Sequence, residues 1–429
     1  MNQTRPYWQG ELPEGWLLVT ADRLPAWMLS PFGATWTSNP TICQFASAGL
    51  ACDRVLVGIT DPTKTLHEIA LGHSGSQHDT IVGPLVAAEA RGWNVTVVTD
   101  AEEQFSDLKT RFENLHVVGV APQCVPATVE AEEESSCGHV LRTAIDEFEK
   151  GKADLLWVHL NSLGVSWDAP QVWRDGFFDE DDPPPGPAAE IPQFAVTDET
   201  DPDQVSTVRQ IFAGEIAHLD DWLGRLVATV SSRWQRFGML LLGLRGIPLG
   251  LHGQVGIAPD EPAPYTELTH VPAILVDPAD RLASQRYGGL LMPVDLGATV
   301  GELIAGTGDS TTLGERAEGK PAEVGQSIGR ILEGDAGLWR TGVRDRVYSV
   351  GGGGHALTVT GWSLVQPLDG PAKLFLKPDD YFDLSDVADR SRDVSKALAD
   401  CLDALVHRRS KADTEPLPAV LVDEGTKRR

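Results

Sequence analysis

The chain has 429 residues, enough for one large α/β domain with a smaller appendage. Its formal charge of −27 at pH 7 argues against nucleic acid and anionic membrane surfaces as partners, because both repel an acidic protein. A composition of 41% hydrophobic and 23% charged residues is that of a globular protein, and nothing in it demands disorder over most of the length.

The first strong element is the apolar run Trp16-Leu17-Leu18-Val19-Thr20, which predicts a buried parallel strand. Ile81 to Ala90 is apolar at helical spacing; after the break Arg91-Gly92, Trp93 to Val98 predicts a strand. Leu115 to Val118 and Ala153 to Leu160 predict two more. From Phe178 to about Asp203 the chain is acidic and proline-rich, which forbids a helix or inner strand and predicts a solvated loop. Ile211, Ile216, Leu219, Leu223, Leu226 and Val230 then form the apolar stripe of a helix, with Glu215, His218, Asp221 and Arg225 expected on its polar side. Met239 to Leu242 predicts a buried strand. Helix followed by strand, repeatedly, points to a parallel sheet with crossover helices.

Past Leu332 the character changes. Arg346 to Val350, Ala356 to Val359 and Trp362 to Val365 are short, β-rich and separated by glycine turns, so an antiparallel sheet is expected. A helix from Val394 to Leu405 closes this part, and a charged tail from Arg408 is expected to fray. The expected division is a core domain over 1–332, a small α+β subdomain over 333–407 and a tail over 408–429. The five cysteines, Cys43, Cys52, Cys124, Cys137 and Cys401, are odd in number and widely spaced. They show neither a disulfide framework nor a Cys-x-x-Cys zinc pattern, so most are expected as small buried hydrophobes in a reducing compartment. With no apolar stretch after the first arginine and no run of 18 apolar residues, a cytoplasmic location is the expectation.

Leu17 to Gly33, LLVTADRLPAWMLSPFG, resembles the opening of the sulfatases, the sulfatase-like branch of the alkaline phosphatase superfamily. Further resemblances follow in the same order. Asn39 to Gly49 resembles an early helix of that family, Ala51 to Val57 the strand leading to its nucleophile loop, and Leu155 to Pro170 a strand that normally ends in Asp-Pro-His. Ala213 to Asp221 resembles the helix before the metal strand, and Leu240 to Gly253 that strand and its loop. Pro264 to Pro272 resembles the strand after it, Asp295 to Thr299 a helix start, and Lys373 to Val387 the closing segment. The resemblance spans roughly Trp16 to Ala388. It implies a large, mainly parallel sheet sandwiched by helices, a small C-terminal antiparallel sheet, and a cleft at the strands' carboxyl ends near Asp22, Thr60 and Arg245.

The resemblance also implies chemistry: in-line displacement at sulfur or phosphorus, with divalent cations stabilising the ester oxygens. In this sequence several of its parts are altered. By the match, Thr60 in Thr60-Asp61-Pro62-Thr63-Lys64 takes the nucleophile place and Lys64 that of an arginine, without arginine's bidentate grip. Sulfatases require Cys or Ser there for their formylglycine, so Thr60 argues against a working sulfatase. The other reading of this stretch is a turn at Asp61-Pro62 with Thr60 as a helix cap. Asp22 stands at the first metal-binding aspartate, but Arg23 replaces the second. Gly243-Leu244-Arg245-Gly246 replaces the family's Asp-His or Asp-Asn, so Leu244 offers no ligand and Arg245 repels a cation.

Arg245 is therefore either a salt-bridge partner or a cation standing in for the metal and binding a small anionic ligand. His252 matches a family position near the substrate. His159, on a strand, reads as a core residue, and Asn161 to Trp167 lacks the histidine of the Asp-Pro-His turn. Gly351 to Gly354 reads as a β-turn, Asp179 to Asp182 as a solvated loop rather than a calcium site, and His73 and His78 as loop residues.

Three readings follow. The first is a non-catalytic binding or regulatory protein with a dismantled metal site, needing no cofactor and offering its cleft to a small anionic ligand. The second is a divergent sulfate or phosphate ester hydrolase using Thr60, Asp22 and His252 with a calcium, magnesium, manganese or zinc ion. The third is a structural or assembly partner.

Overall fold

A computed structural model describes residues 13–73, 82–180, 182–257, 261–306, 325–329, 331, 342–407 and 415–426. In chain order the first part runs β1 (Gly15–Ala21), α1 (Pro40–Ala48), β2 (Leu50–Cys52), β3 (Val55–Leu56), α2 (Pro62–Leu71), α3 (Pro84–Ala90), β4 (Val95–Thr99), α4 (Ser106–Arg111) and β5 (Leu115–Gly119). It continues with α5 (Ser136–Glu149), β6 (Leu155–Leu160), α6 (Gln171–Asp175), β7 (Phe194–Ala195), α7 (Pro202–Arg233), β8 (Phe237–Gly243) and β9 (Gln254–Val255). Then come α8 (Thr266–Thr269), β10 (His270–Val271), β11 (Ala273–Val276), β12 (Gln285–Tyr287) and α9 (Pro293–Ala305). The last part holds β13 (Arg346–Gly351), β14 (Gly354–Val359), β15 (Trp362–Pro367), β16 (Lys373–Leu376), α10 (Arg392–Val406) and α11 (Ala419–Thr426).

β1 sits inside an eight-stranded sheet of order β12-β2-β11-β8-β1-β6-β4-β5. It pairs in parallel with both β6 and β8, and every one of its residues is buried. Alternation splits it between two cores. Leu17, Val19 and Ala21 pack with the face that carries α5 and α7, whereas Trp16 and Leu18 pack with the face that carries α2, α3 and α9. The sheet is mixed because β11 runs antiparallel to β8 and β2. A second sheet, β13-β14-β15-β16, is fully antiparallel and packs Leu357, Leu364 and Leu374 against Leu398 and Leu402 of α10. This is the expected fold class, with a fourth strand, β16, that the sequence reading had only as a closing segment.

Several expectations need correction. Glu215 and His218 do not face water: they are 4% and 0% exposed. The reason is that α7 is covered on this side too. Arg174 of α6 lies 3.5 Å from Glu215, and the Ala169 N–H donates to both Glu215 carboxylate oxygens. His218 Nε2 lies 2.7 Å from Ser135 Oγ. The acidic, proline-rich segment is correspondingly anchored: Arg174 Nη1 donates to the carbonyls of Gly186 and Ala188. Pro264 to Pro272 is not one strand but the helical turn α8 followed by β10. Of the cysteines, Cys52 and Cys137 are buried, Cys43 and Cys401 half-buried and Cys124 exposed. The tail is not wholly frayed, since α11 places Leu421 at 2% exposure against the second sheet's core. The expected boundary at 332 and His78 lie outside the described residues. Among the described residues no helix is long and apolar enough to cross a membrane.

Candidate functional site

Parallel strands deliver their carboxyl ends to one edge of a sheet, which is where α/β proteins build sites. Here β1, β6 and β8 end side by side at Ala21, Leu160 and Gly243. The chain turns sharply after β1: Arg23 has φ 59°, a left-handed conformation uncommon outside glycine. After β8, Gly246 lets the loop lie against Glu267, since a Cβ there would fall 2.0 Å from the Glu267 carbonyl oxygen. Those two turns bring Arg245 back over Asp22.

The two side chains meet in a bidentate pair. Arg245 Nε donates to Asp22 Oδ1 at 2.8 Å, and Nη2 donates to Oδ2 at 3.0 Å. Arg23 adds a second guanidinium, its Nε 3.9 Å from Asp22 Oδ2. Asp22 is 1% exposed. Burial alone would push its carboxyl up, but the charge and hydrogen bonds of Arg245, aided by Arg23, hold it below the ordinary carboxylate value. Burial drives Arg23 down to about 10 against the favourable charge of Asp22. Neighbouring strand ends carry His159, lowered to about 4 by burial, and Asp100, raised to about 6 by burial. His159 is a core residue as expected, with Nδ1 3.0 Å from Thr20 Oγ1.

Thr60 joins the same cluster through its backbone and its hydroxyl. Its carbonyl accepts from Arg245 Nη1 at 2.9 Å, and its N–H donates to Val350 O at 3.1 Å. Its hydroxyl donates to Glu261 Oε2 at 2.6 Å. Glu261 Oε2 also accepts from the Gly352 N–H at 2.9 Å, and Oε1 lies 3.5 Å from Arg245 Nη1. The cluster borders a depression of about 430 Å3 lined by Thr60, Asp61, Arg245, Glu261, Gly351 and Gly352, among others.

Asp22, Thr60 and Arg245 are thus brought together, and the remaining candidates are not. Thr60 is not the helix cap. Asp61 is, accepting from the N–H groups of Thr63 and Lys64 at the start of α2. Lys64 does not reach the depression: its side chain is 64% exposed and lies 3.5 Å from the Asp61 carboxylate. His252 lines a separate cavity of about 250 Å3 with Tyr265, Lys373 and Asp383. Its Nε2 is 3.0 Å from Phe382 O and its ring stacks on Tyr265 at 3.8 Å. Burial lowers it to about 4. Sequence analysis does not single out Glu261, and it reaches Gly352 only within a glycine run read as a β-turn. Glu261 stands alone in a proline-rich stretch with no motif to flag it, and the glycine run showed only that a turn was due. That turn is the β13–β14 hairpin, with Gly351 paired to Gly354.

The residues present do not fit a divalent cation. Both Asp22 oxygens are engaged by a guanidinium, and Leu244, 1% exposed, offers no donor. Among the described residues no three His, Cys, Asp or Glu side chains converge as a ligand set. Each unit of positive charge brought within 4 Å of a guanidinium costs roughly 4 kcal/mol at an effective dielectric of 20, and a divalent ion about twice that. Arg245 is committed to Asp22, Glu261 and Thr60, and the start of α2 already holds the Asp61 carboxylate.

No protein-family model matches the sequence, and no curated protein matches it. Solved structures do share its fold. The phosphonate monoester hydrolase of Agrobacterium radiobacter superposes with a TM-score of 0.66 at 14% identity, over 93% of this chain and 96% of that one. The phosphonate monoester hydrolase of Silicibacter pomeroyi gives 0.65 at 14%, over 93% and 96%. A 2-O GAG sulfatase gives 0.66 at 16% identity, over 95% of each chain. The chain has the fold of the sulfatases and phosphonate monoester hydrolases along nearly its whole length.

Proposed function

We propose that this chain, built on the fold of sulfatases and phosphonate monoester hydrolases, is not a metal-dependent ester hydrolase but a binding or regulatory protein. The observation that carries this is the bidentate Asp22–Arg245 pair at the strand ends. By the resemblance Asp22 is a metal-binding carboxylate, and here a side-chain cation holds both of its oxygens. The carboxylates of Glu261 and Asp61 at the same mouth oppose a sulfate or phosphate ester in addition. A second reading, a divergent hydrolase, draws on the 2.6 Å contact between the Thr60 hydroxyl and Glu261, a hydroxyl beside a carboxylate base. It requires bound metal, and loss of ester hydrolysis in Thr60→Ala.

Elemental mass spectrometry of the purified protein, after brief incubation with calcium, magnesium, manganese and zinc, separates the two. The expected result is no metal above background. Near-stoichiometric metal that disappears in Asp22→Asn would sink the first reading and establish the premise of the second.

A further inference from the structure

The Glu261 carboxylate does not simply lie on the site. It occupies a seat whose three donors come from distant parts of the chain. The Thr60 hydroxyl and the Gly352 N–H converge on one oxygen at 2.6 and 2.9 Å, and Arg245 Nη1 stands 3.5 Å from the other. The seat depends on close backbone approach. A Cβ on Gly351 would fall 2.8 Å from Thr60 Oγ1 and 3.1 Å from Glu261 Oε2, so a side chain there would press on both.

The charges around the seat balance only with Glu261 in place. Arg23 and Arg245 face Asp22 and Glu261. The remaining carboxylate at the mouth, Asp61, is spent on the start of α2 and on Lys64. Without Glu261, Arg23 and Arg245 exceed Asp22 by one positive charge, next to a hydroxyl and an N–H that have lost their acceptor. Thr60 is buried and Arg245 half-buried, and donors of that kind left without an acceptor favour an incoming anion; the Gly352 N–H, on an exposed residue, adds a third donor. The depression beside the seat, about 430 Å3, gives such an anion room to enter.

We propose that this mouth is a carboxylate-binding seat and that Glu261 is its internal occupant, a plug that closes the seat against external anions. The ligand class it takes when the plug is absent or displaced is a small organic carboxylate. Its planar group offers one oxygen to Thr60 and Gly352 and the other to Arg245. This rests on the Asp22–Arg245 pair standing where a metal would otherwise be.

The test uses the full-length protein and acetate as the probe. Melting temperatures of wild type and Glu261→Ala are followed against sodium acetate, with sodium chloride at matched ionic strength as the baseline and sodium sulfate as a tetrahedral comparison. Glu261→Ala is expected to melt lower than wild type and to gain about 1–2 °C at ten times the acetate Kd, saturably, while wild type tracks its chloride baseline. Adding Thr60→Val to Glu261→Ala should abolish the gain. A Glu261→Ala protein that responds to acetate no more than to chloride overturns the seat. A wild type that responds equally overturns the plug. A larger response to sulfate than to acetate, after subtracting the wild-type response, overturns the carboxylate assignment. If Glu261→Ala does not fold, Glu261→Ser, which also empties the seat, decides: its slope against acetate must exceed that of wild type, and parallel slopes reject the proposal. Metal content of the wild type is measured separately, so a metal-loaded protein defeats the proposed function, whereas a metal-free protein with no acetate response defeats this inference alone.

Discussion

Of the bidentate Arg–Asp pairs in this molecule, Arg344–Asp295 and Arg245–Asp22 do different things. Arg344 donates through Nε and Nη2 to Asp295 at 2.7 and 2.6 Å, and the side chains are 3% and 0% exposed. Asp295 also accepts the N–H groups of Met292 and Gln326, so that pair ties the start of α9 to the chain entering β13 and is closed on all sides. Arg245 and Asp22 have nearly the same geometry, but Arg245 is 17% exposed and the pair lies where parallel strands end beside an open depression. Pair geometry therefore does not mark a site. What distinguishes the second pair is its place at the strand ends and the open depression beside it.

The largest effect that tests this contrast is on stability. Arg344→Ala leaves Asp295 as a buried charge without its guanidinium and should cost about 3–5 kcal/mol. Arg245→Ala should cost less, about 1–3 kcal/mol, because Arg23 remains 3.9 Å from Asp22 and water reaches the pair from the depression. Urea denaturation of both variants measures the difference, and equal losses would erase the distinction. The pair at the strand ends also has an acid signature. A carboxyl held below its ordinary value near 3.8 contributes stability that is present above that value and lost as pH falls through the lower folded one. Arg245→Ala should therefore flatten stability below about pH 4 relative to wild type.

A smaller effect sets a burial-dominated group against these charge-dominated ones. Glu267 is 3% exposed, accepts from the N–H groups of Leu249 and Leu251, and is pushed by burial up to about 7. The sign is opposite to that of Asp22. Stability from the protonated carboxyl is full below the unfolded value near 4.5 and is lost as pH rises through about 7. Between those limits the loss should amount to about 1–3 kcal/mol, and Glu267→Gln should remove that slope. Denaturation midpoints at pH 5, 6 and 7 check it. An unchanged slope would mean that Glu267 is ionised when folded, despite its burial.

The same contrast shows what a linear sequence can and cannot reveal. Buried parallel strands were legible because apolar runs such as Leu17 to Val19 have no other stable place, and the order of helix and strand fixed the sheet class. Asp22, Thr60 and Arg245 were legible as neighbours only through the resemblance, since 185 residues separate Thr60 from Arg245. Periodicity misplaced Glu215 and His218, because it describes one covered face of a helix and α7 is covered on two. The resemblance places His252 near the substrate, but stacking on Tyr265 and the contact with the Phe382 carbonyl hold it in a separate cavity. Glu261 was invisible because its importance arises from three donors that meet only in the fold.

The smallest effect concerns the start of α2, where Asp61, and not Thr60, caps the helix. Asp61 caps the helix by accepting from Thr63 and Lys64, so Asp61→Ala should cost about 1 kcal/mol, while Asp61→Asn should be nearly neutral because asparagine caps as well. Lys64, with a side chain 64% exposed, should change nothing measurable when replaced by alanine, since exposed ion pairs contribute little. The three variants compared in one denaturation series decide whether the loop behind Thr60 is held by backbone capping or by side-chain charge. If Lys64→Ala costs as much as Asp61→Ala, the ion pair holds the loop, and Lys64 regains a part in the site that its surface position denies it.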